Sequence, residues 1–365
     1  MNLQRSQSRF RLCNLQISFS DFDIKKCIGA GSFGTVFSCY DKVNEREVAL
    51  KVIDTTYMNE TKKLMNFMRE ILVPIRLRIP GIVQTYGFKF PDTSFNEGDG
   101  AKRYMNVTVP GVHRKTKKVD LTGPMISTEI MRNGSLDVLL PKYFKNLGEG
   151  SKLNPTNRTK IMFGVAATMK KIHQLDLIHR DLKVANVFLD DNLEPQIADF
   201  GLAKEFIDTR NTLNVGTPFA MAPEIFMGTE YDKSVDVYAF GFFMYNMFTT
   251  DIQFEVGTPR SVHQYMSFIT KGQRPIKKPN IPEVYWQLIT KCWSESPAER
   301  PSFVEVVEIM KDDSFALTEY DQTTDLNQLH EYQARIDAPM PEDFEEESRV
   351  ITKKGRKTEF VWTRQ

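Results

Sequence analysis

The chain has 365 residues, of which 41% are hydrophobic and 26% charged, as is usual for a globular protein of one or two domains. The formal net charge of +1 argues against nucleic acid or an anionic membrane surface as a partner. No stretch approaches the ~20 apolar residues of a membrane span, and residues 1–19 lack the apolar run of a signal peptide.

The first half of the chain alternates between strand-like and helical patterns. Residues 21–51 are rich in β-branched and aromatic residues with breaks at glycine, which predicts strands. A helix is expected next, because apolar residues recur at helical spacing at Leu64, Phe67, Met68, Ile71 and Ile75. Pro74 lies inside it, and since proline removes a backbone hydrogen bond, we expect the helix to end or kink before this residue. Residues 82–90 return to strand character, whereas residues 91–120 lack periodicity and are expected to form an insertion loop.

Helical patterns dominate the second half, after a predicted strand at residues 124–131. An amphipathic helix is marked by Ile161, Val165, Met169 and Ile172. Residues 235–248 are apolar on every face, which predicts a helix in the centre of a larger lobe. A last helical segment at residues 303–310 is expected to close the compact region near residue 312.

These patterns predict a small strand-rich lobe followed by a larger helical lobe. The expected boundaries are an N-terminal arm at 1–20, a two-lobed domain at 21–312 and a polar tail at 313–365 that passes from acidic to basic. Within the domain, the first lobe covers residues 21–131 with the insertion at 91–120, and the second covers residues 132–312.

A glycine-rich turn interrupts the first predicted strands. It consists of Ile28, Gly29, Ala30, Gly31, Ser32, Phe33, Gly34, Thr35 and Val36, and it contains the pattern G-x-G-x-x-G. A Rossmann dinucleotide site has the same glycines but needs a helix after them. Residues 35–40 are instead rich in strand formers, so the turn is expected to join two strands and to cover phosphates with its backbone.

Lys51 lies on the next predicted strand, where the plain alternative is an exposed lysine. A functional role requires a carboxylate on a nearby helix, and Glu70 lies on the predicted helix one turn from Phe67. A pair between Lys51 and Glu70 would aim the ammonium group at the α- and β-phosphates of a nucleotide.

The densest chemistry lies in residues 179–201. Asp181 is a candidate for the group that accepts the proton of an attacking hydroxyl, and Lys183 is a cation that can neutralise charge on a transferring phosphate. Asn186 and Asp199 offer oxygen ligands to Mg²⁺, which keeps waters and needs only one or two protein ligands. These groups predict phosphoryl transfer from a metal-bound nucleotide to a hydroxyl.

Taken in this order, the motifs resemble those of a eukaryotic protein kinase over residues 22–310. The resemblance implies a bilobal α+β fold, with a small antiparallel β-sheet lobe that carries one helix and a larger, mainly α-helical lobe. It also implies ATP and Mg²⁺ as cofactors and protein hydroxyls as acceptors. Glu224 and Arg300 are expected to pair and brace the substrate platform; the alternative is two surface charges worth at most ~1 kcal/mol.

The resemblance further implies an adenine site. Thr128 would be the gatekeeper residue, and the backbones of Glu129 and Met131 would bind the adenine edge. Two small apolar residues would cover the ring and an aromatic residue would lie beneath it; these are Val36, Ala49 and Phe188. Many kinases have leucine at the last position, and phenylalanine there resembles the Raf-related branch.

Several features bear on which hydroxyl is phosphorylated. Lys183, and Thr217 in a Gly-Thr-Pro motif, resemble serine/threonine kinases, in which this threonine is expected to bridge Asp181 and Lys183. Other motifs resemble tyrosine kinases: Cys292 and Trp293 followed by Pro297 and residues 300–303, together with residues 236–241. The tyrosine-kinase-like group combines both features. The chain is therefore predicted to be a serine/threonine kinase of that group. The alternatives are a tyrosine or dual-specificity kinase and a pseudokinase scaffold.

Further signals concern regulation, partners and location. Arg180 is expected to pair with a phosphate at Thr209 or Thr212. A basic cluster could bind an acidic partner, with a solvated insertion as the alternative; its members are Arg114, Lys115, Lys117 and Lys118. Four cysteines without metal-ligand spacing are typical of reduced thiols, so a cytoplasmic location is expected.

Overall fold

The computed structural model describes residues 15–30, 34–54, 61–90, 104–110, 116–145, 153–205 and 220–340. The chain divides into two compact units, one formed by Met1–Ile71 and Gln84–Ile130, the other by Leu72–Val83 and Met131–Gln365. No helix in these described ranges is long and apolar enough to cross a membrane. The expectations for the ends of the chain, residues 1–14 and 341–365, lie outside the described residues.

The first unit is built on an antiparallel sheet. Its strands are β1 (Phe22–Ala30), β2 (Gly34–Asp41), β3 (Arg46–Ile53), β4 (Thr85–Lys89), β5 (Tyr104–Thr108), β6 (Thr116–Asp120) and β7 (Met125–Thr128). Five of them form one sheet in the order β1-β2-β3-β7-β4. Val48, Leu50 and Val52 alternate along β3 and are almost wholly buried, in one core cluster with Phe37 and Cys39 of β2. The strands predicted for this part of the chain are thus confirmed.

Helix α1 (Thr61–Leu77) follows the predicted apolar spacing, and its Phe67 and Ile71 are buried. The expectation was that the helix ends or kinks before Pro74, and the first of these outcomes is wrong, because the helix continues to Leu77. Proline removes one backbone donor and crowds the carbonyl four residues earlier, but the Pro74 carbonyl still accepts from Arg78 N at 3.2 Å. The chain leaves the helix at Arg78, whose φ of 38° is left-handed.

Part of the expected insertion loop forms strands, which corrects the prediction for residues 91–120. β5 and β6 pair with each other, and Val107 and Val119 are buried in the core of the first unit. Val119 is the one apolar residue of β6, so this strand shows no alternation of apolar and polar residues in the sequence.

The basic cluster lies on β6 and just before it. Arg114 and Lys115 are outside the described residues. Lys117 makes an ion pair with an aspartate of the same unit, and Lys118 Nζ lies 4.0 Å from the ring centre of Tyr104. Both described lysines therefore already interact within the first unit.

The second unit is mainly helical. Its helices are α2 (Leu136–Lys145), α3 (Pro155–Gln174), α4 (Pro223–Met227), α5 (Ser234–Asn246), α6 (Val262–Thr270), α7 (Glu283–Cys292), α8 (Phe303–Ile309) and α9 (Leu326–Ile336). Every residue from 235 to 245 is buried, as the wholly apolar pattern of α5 predicts. The α+β class and the division into a strand-rich and a helical part are confirmed.

The second unit also holds four short strands. They are β8 (Leu177–Ile178), β9 (Val187–Leu189), β10 (Pro195–Ile197) and β11 (Lys204–Glu205), paired as β8 with β11 and β9 with β10. The edge of β10 that faces away from β9 is hydrogen-bonded to residues 81–83. Ile197 N donates to Gly81 O at 2.7 Å, and Val83 N donates to Ile197 O at 2.9 Å. On the β9 side, Leu189 N donates to Gly134 O at 3.0 Å, so the hairpin is hydrogen-bonded along both outer edges.

The compact region continues past residue 312, where the sequence analysis expected it to close. α9 packs on α3, and its Leu329, Tyr332 and Ile336 are buried. The stretch is mostly polar, with only a few apolar residues at helical spacing, so its composition did not predict a buried helix. The described part of the expected tail, up to Met340, therefore belongs to the second unit.

The variant Gly164→Ala tests how closely α9 packs on α3. An added Cβ would lie 2.0 Å from Tyr332 Oη and 2.7 Å from Pro195 Cγ. We expect the free energy of unfolding, measured in urea, to fall by about 1–3 kcal/mol. Helix propensity alone would raise it by up to about 1 kcal/mol, so the sign of the change is decisive.

Tyr332→Phe provides the matched control for Gly164→Ala. It removes a buried hydroxyl that has no hydrogen-bond partner in the described part of the chain. In the double variant it should recover part of the loss, because the nearest clashing atom is gone. An unfolding free energy that is unchanged or raised by Gly164→Ala alone would contradict the packing.

Candidate active site

The predicted site residues divide between the two units. Those described in the first unit are Ile28, Gly29, Ala30, Gly34, Thr35, Val36, Ala49, Lys51, Glu70, Thr128 and Glu129. Those described in the second unit are Met131, Asp181, Lys183, Asn186, Phe188 and Asp199. Outside the described residues lie Gly31, Ser32, Phe33, Thr209, Thr212 and Thr217.

The glycine-rich turn joins two strands, as predicted, and no Rossmann helix follows it. β1 and β2 pair up to the turn, with Gly29 opposite Val36 and Ala30 opposite Thr35. A Cβ on Gly34 would lie 2.3 Å from the Val52 carbonyl oxygen, so only glycine allows β2 and β3 to approach this closely. The backbone on either side of the turn is therefore held in the sheet.

Lys51 pairs with Glu70 as the sequence predicts. Lys51 lies on β3 between Val36 of β2 and Ile126 of β7, and its Nζ donates to Glu70 Oε1 on α1. The two side chains are 27% and 22% exposed, so the pair is partly shielded from water. The carboxylate restricts the lysine, whose four-carbon stem would otherwise be flexible.

Just after β7, both backbone groups of Glu129 take part in hydrogen bonds within the first unit. Thr128 lies opposite Ala49 of β3, and its Oγ1 donates to Glu129 O at 3.3 Å. Glu129 N donates to Gln84 O at 2.9 Å. In the second unit, Phe188 lies on β9 opposite Gln196.

Asp181 is the centre of a hydrogen-bond network in the second unit. Lys183 Nζ donates to Asp181 Oδ2 at 2.7 Å, and Asn186 Nδ2 donates to the same oxygen at 2.9 Å. Asn186 Nδ2 also donates to the Asp181 carbonyl at 2.8 Å. Asp181 and Asn186 are buried, so the carboxylate has a fixed orientation. Three predicted residues thus meet in one network.

Asp236 of α5 anchors the backbone of this loop. Its Oδ2 accepts from His179 N at 2.8 Å and lies 2.9 Å from His173 Nε2, and its Oδ1 accepts from Arg180 N at 2.8 Å. Burial raises the pKa of this carboxyl, but the hydrogen bond and charge of His173, the charge of His179 and the Arg180 amide outweigh burial and lower the pKa. The loop is therefore fixed by a buried carboxylate that is ionised at neutral pH.

Arg180 and Asp199 both have a left-handed backbone, with φ values of 67° and 64°. Such a conformation costs about 1–3 kcal/mol at each residue and persists only where its surroundings impose it. The Arg180 side chain is fixed as well, because its Nε donates to Leu202 O at 2.6 Å and its Nη1 to Tyr231 Oη at 3.0 Å. Backbone strain of this kind is concentrated at functional sites.

Asn186 and Asp199 lie at the two ends of the β9–β10 hairpin. Ala198 N donates to Asn186 O at 2.8 Å, which joins the two ends, and Asp199 is exposed. Among the described residues, no group of three or more His, Cys, Asp or Glu side chains could hold a metal ion. The Asn186 nitrogen is bonded to Asp181, which leaves its amide oxygen as a ligand atom. One amide oxygen and one carboxylate fit a hard cation that keeps waters and binds phosphate oxygens.

Glu224 and Arg300 form a buried bidentate pair. Arg300 Nη1 and Nη2 donate to Glu224 Oε1 and Oε2 at 2.6 and 3.0 Å, and the side chains are 0% and 7% exposed. The predicted pair is present, and the alternative of two surface charges is wrong. Breaking a pair of this kind costs about 3–5 kcal/mol, because it leaves one buried charge uncompensated.

The role of Asp236 was not predicted from the sequence. The sequence did contain a signal for this role. Asp236 is a single carboxylate in a segment that is otherwise apolar on every face, and a buried charge needs partners. Those partners are 56 to 63 residues away, however, and nothing in the local pattern names them.

Comparison with known proteins identifies the class. Residues 22–311 match the family model described as "Protein kinase domain". The match covers most of the chain, so the chain belongs to the protein kinase domain family. Members of this family use ATP and a divalent metal ion and act on protein substrates.

Similar proteins include "Dual specificity protein kinase pyk3" of Dictyostelium discoideum, 29% identical over 293 residues that make up 80% of this chain and 18% of that protein. "RGS domain-containing serine/threonine-protein kinase A" of the same organism is 27% identical over 292 residues, 80% of this chain and 22% of that protein. "Serine/threonine-protein kinase STY17" of Arabidopsis thaliana is 28% identical over 299 residues, 81% and 45% respectively. The chain thus spans less than half the length of these relatives.

Asp236→Asn tests the anchoring carboxylate through its pH dependence. The amide replaces an acceptor by a donor that faces backbone N–H groups, and we expect a loss of about 3 kcal/mol in unfolding free energy near pH 6. The folded pKa of Asp236 is lowered, so its contribution to stability is present above the unfolded pKa of about 4 and is lost as the pH falls through the folded value. The difference in unfolding free energy between wild type and variant should therefore decrease as the pH is lowered below 4.

Urea unfolding between pH 6 and pH 3 measures this difference. Asp191→Asn is the control, because Asp191 is 63% exposed and forms a surface pair with Arg132; such a change is worth at most about 1 kcal/mol. A difference for Asp236→Asn that stays constant over the pH range would show that the carboxylate is not the anchor.

Proposed function

We propose that the chain is an ATP- and Mg²⁺-dependent serine/threonine protein kinase that acts in intracellular signalling. The observation that carries the proposal is the network in which Lys183 and Asn186 both donate to Asp181 Oδ2. Phosphoryl transfer to a hydroxyl needs a fixed acceptor for the hydroxyl proton beside a cation that can take up phosphate charge. The network supplies both.

Each residue of the network then has a role. Asp181 would orient the attacking hydroxyl and accept its proton. Lys183 would balance charge on the transferred phosphoryl group. Asn186 and Asp199 would hold Mg²⁺, which when bound neutralises charge on the nucleotide phosphates. Thr217 would bridge Asp181 and Lys183.

Each unit carries proposed nucleotide contacts. The pair of Lys51 and Glu70 supports a contact of the ammonium group with the α- and β-phosphates, and the backbone of residues 28–36 would cover the phosphates. Glu129 would offer its carbonyl to the adenine edge, since its N–H is already bonded to Gln84. The remaining adenine contacts would come from Val36, Ala49, Thr128, Met131 and Phe188.

We also assign the chain to the tyrosine-kinase-like group, near the Raf-related branch. The assignment is supported by Lys183 together with Cys292 and Trp293, and by Phe188 at a position where many kinases have leucine. The kinase domain is proposed at residues 21–312. Three further proposals rest on the sequence alone. They are a cytoplasmic location, an acidic partner at residues 114–118 and activation through phosphate at Thr209 or Thr212.

A dual-specificity kinase is the second candidate. One similar protein, at 29% identity, bears that description in its name, and the Cys292 and Trp293 motif resembles tyrosine kinases. The two candidates share the whole proposed site and differ only in the acceptor hydroxyl.

Asp181→Asn should lower phosphate transfer from ATP to myelin basic protein by about 10²-fold or more, because the variant loses the proton acceptor. Binding of a fluorescent ATP analogue should persist, since no proposed nucleotide contact is removed. Asp251→Asn is the control: Asp251 is 62% exposed and pairs with Lys278, and its loss should leave activity unchanged. Equal transfer by wild type and Asp181→Asn would point to a pseudokinase scaffold instead.

Phosphoamino-acid analysis of the product separates the two candidates. We expect phosphoserine and phosphothreonine from the wild type, because Lys183 beside Asp181 is the serine/threonine arrangement. Synthetic peptides identical except for serine, threonine or tyrosine at the acceptor position are the matched substrates. Phosphotyrosine in amounts comparable to phosphoserine would favour dual specificity.

A further inference from the structure

Helix α9 lies beyond residue 311, where the family match ends, yet it is attached to the second unit at both ends. At its start, Asp325 N donates to Thr156 Oγ1 on α3 at 3.0 Å. At its end, Asp337 accepts from Lys170 and lies 3.1 Å from Lys311 Nζ.

Two further contacts fix the last turn of α9. Lys171 Nζ donates to Ile336 O at 2.7 Å, and Gln333 Nε2 donates to Met310 O at 3.4 Å. Asp337 is only 11% exposed. Burial raises the pKa of its carboxyl, but the hydrogen bonds and charges of the two lysines outweigh burial and lower it. The helix therefore has a fixed register on α3.

The middle of α9 contacts the β9–β10 hairpin. Tyr332 and Pro195, the first residue of β10, share the space beside Gly164 of α3, since a Cβ there would meet both. One turn further along the surface, Arg335 makes an ion pair with Glu194, the residue before β10. The Arg335 guanidinium also lies 5.3 Å from the ring centre of Tyr332. The Tyr332 side chain and the Arg335–Glu194 ion pair thus lie at the same end of the hairpin.

That hairpin connects the two proposed metal ligands. β9 begins directly after Asn186, and β10 ends two residues before Asp199. Hairpin movement would change the distance between the two ligands, and a metal site tolerates little such change. Whatever fixes the hairpin thus also fixes the ligand geometry.

We propose that residues 326–337 form a C-terminal brace that positions the β9–β10 hairpin, and through it Asn186 and Asp199, with Tyr332 and Arg335 as the positioning residues. The consequence for metal binding rests on the proposed kinase function. The mechanical consequence for the hairpin does not, because it concerns only packing within the second unit.

Arg335→Glu tests the ionic contact without removing buried apolar surface, since Arg335 is 56% exposed. The reversed charge should repel Glu194 and loosen the hairpin. We expect hydrogen exchange of the amides of Leu189, Ile197 and Ala198 to quicken by about fivefold. The Mg²⁺ concentration for half-maximal phosphate transfer should rise by about threefold or more. The double variant Glu194→Arg with Arg335→Glu restores the pair and should reverse both changes.

Tyr332→Ala tests the apolar contact, and Tyr285→Ala is its matched control. Tyr285 lies on α7, is 2% exposed and packs against Phe248 and Phe315, so the same truncation is made in the same unit away from the hairpin. After correction for any global loss of stability, measured in urea, only Tyr332→Ala should quicken exchange in residues 187–198.

The outcomes separate the brace from the kinase proposal. Faster hairpin exchange in Arg335→Glu and Tyr332→Ala, recovered in the charge-swapped variant, supports the brace even if the wild type transfers no phosphate. Unchanged hairpin exchange in both variants, or the same change in Tyr285→Ala, overturns it. Faster exchange with an unchanged Mg²⁺ requirement in an active enzyme overturns the link from the hairpin to Asn186 and Asp199.

Discussion

The geometry of the candidate catalytic loop depends on one buried carboxylate. Asp236 lies in a helix whose other faces are apolar, where an uncompensated charge would be strongly unfavourable. The charge is tolerated because the amides of His179 and Arg180 donate to it and the ring of His173 lies within hydrogen-bond distance. The carboxylate in turn holds Arg180 in a left-handed conformation that local interactions would not maintain. The shape of the loop is therefore imposed by α5, and the network around Asp181 depends on it.

The same helix organises a second buried charge. Arg300, which pairs with Glu224, also donates through Nη1 to Ser234 O at the start of α5 at 3.3 Å. Its guanidinium lies 4.9 Å from the ring centre of Tyr238, one turn further along α5. An arginine suits this place because its planar fork can bond a carboxylate and a carbonyl while it stacks on a ring. The loop and the Glu224 segment thus share one rigid support, so a disturbance in α5 would reach both.

Apart from the Glu224–Arg300 pair, which the family resemblance implied across 76 residues, the contacts that could be predicted from the sequence were those that short spacing determines. Lys183 and Asn186 lie two and five residues from Asp181, and Glu70 could be assigned to Lys51 because helical phase limits the choice. The partners of Asp236 could not, since the contacts span 56 residues or more. α9 was also missed. Its Tyr332 occupies space left by the absent side chain of Gly164, 168 residues earlier, and the sequence around α9 is mostly polar. Long-range contacts of this kind follow from the fold and leave no local pattern.

Pro74 lies inside an intact helix but leaves this helix without one backbone hydrogen bond. In an α-helix each N–H donates to the carbonyl four residues earlier, so the bond that Pro74 cannot make is the one to the carbonyl of Glu70. The helix survives because the surrounding side chains are buried, with Ile71 and Ile75 at most 6% exposed. Pro74 thus supplies no N–H to the turn that carries Glu70, and side-chain packing and the ion pair with Lys51 help to hold this turn. The position of Glu70 is therefore coupled to that ion pair more strongly than it would be in an uninterrupted helix.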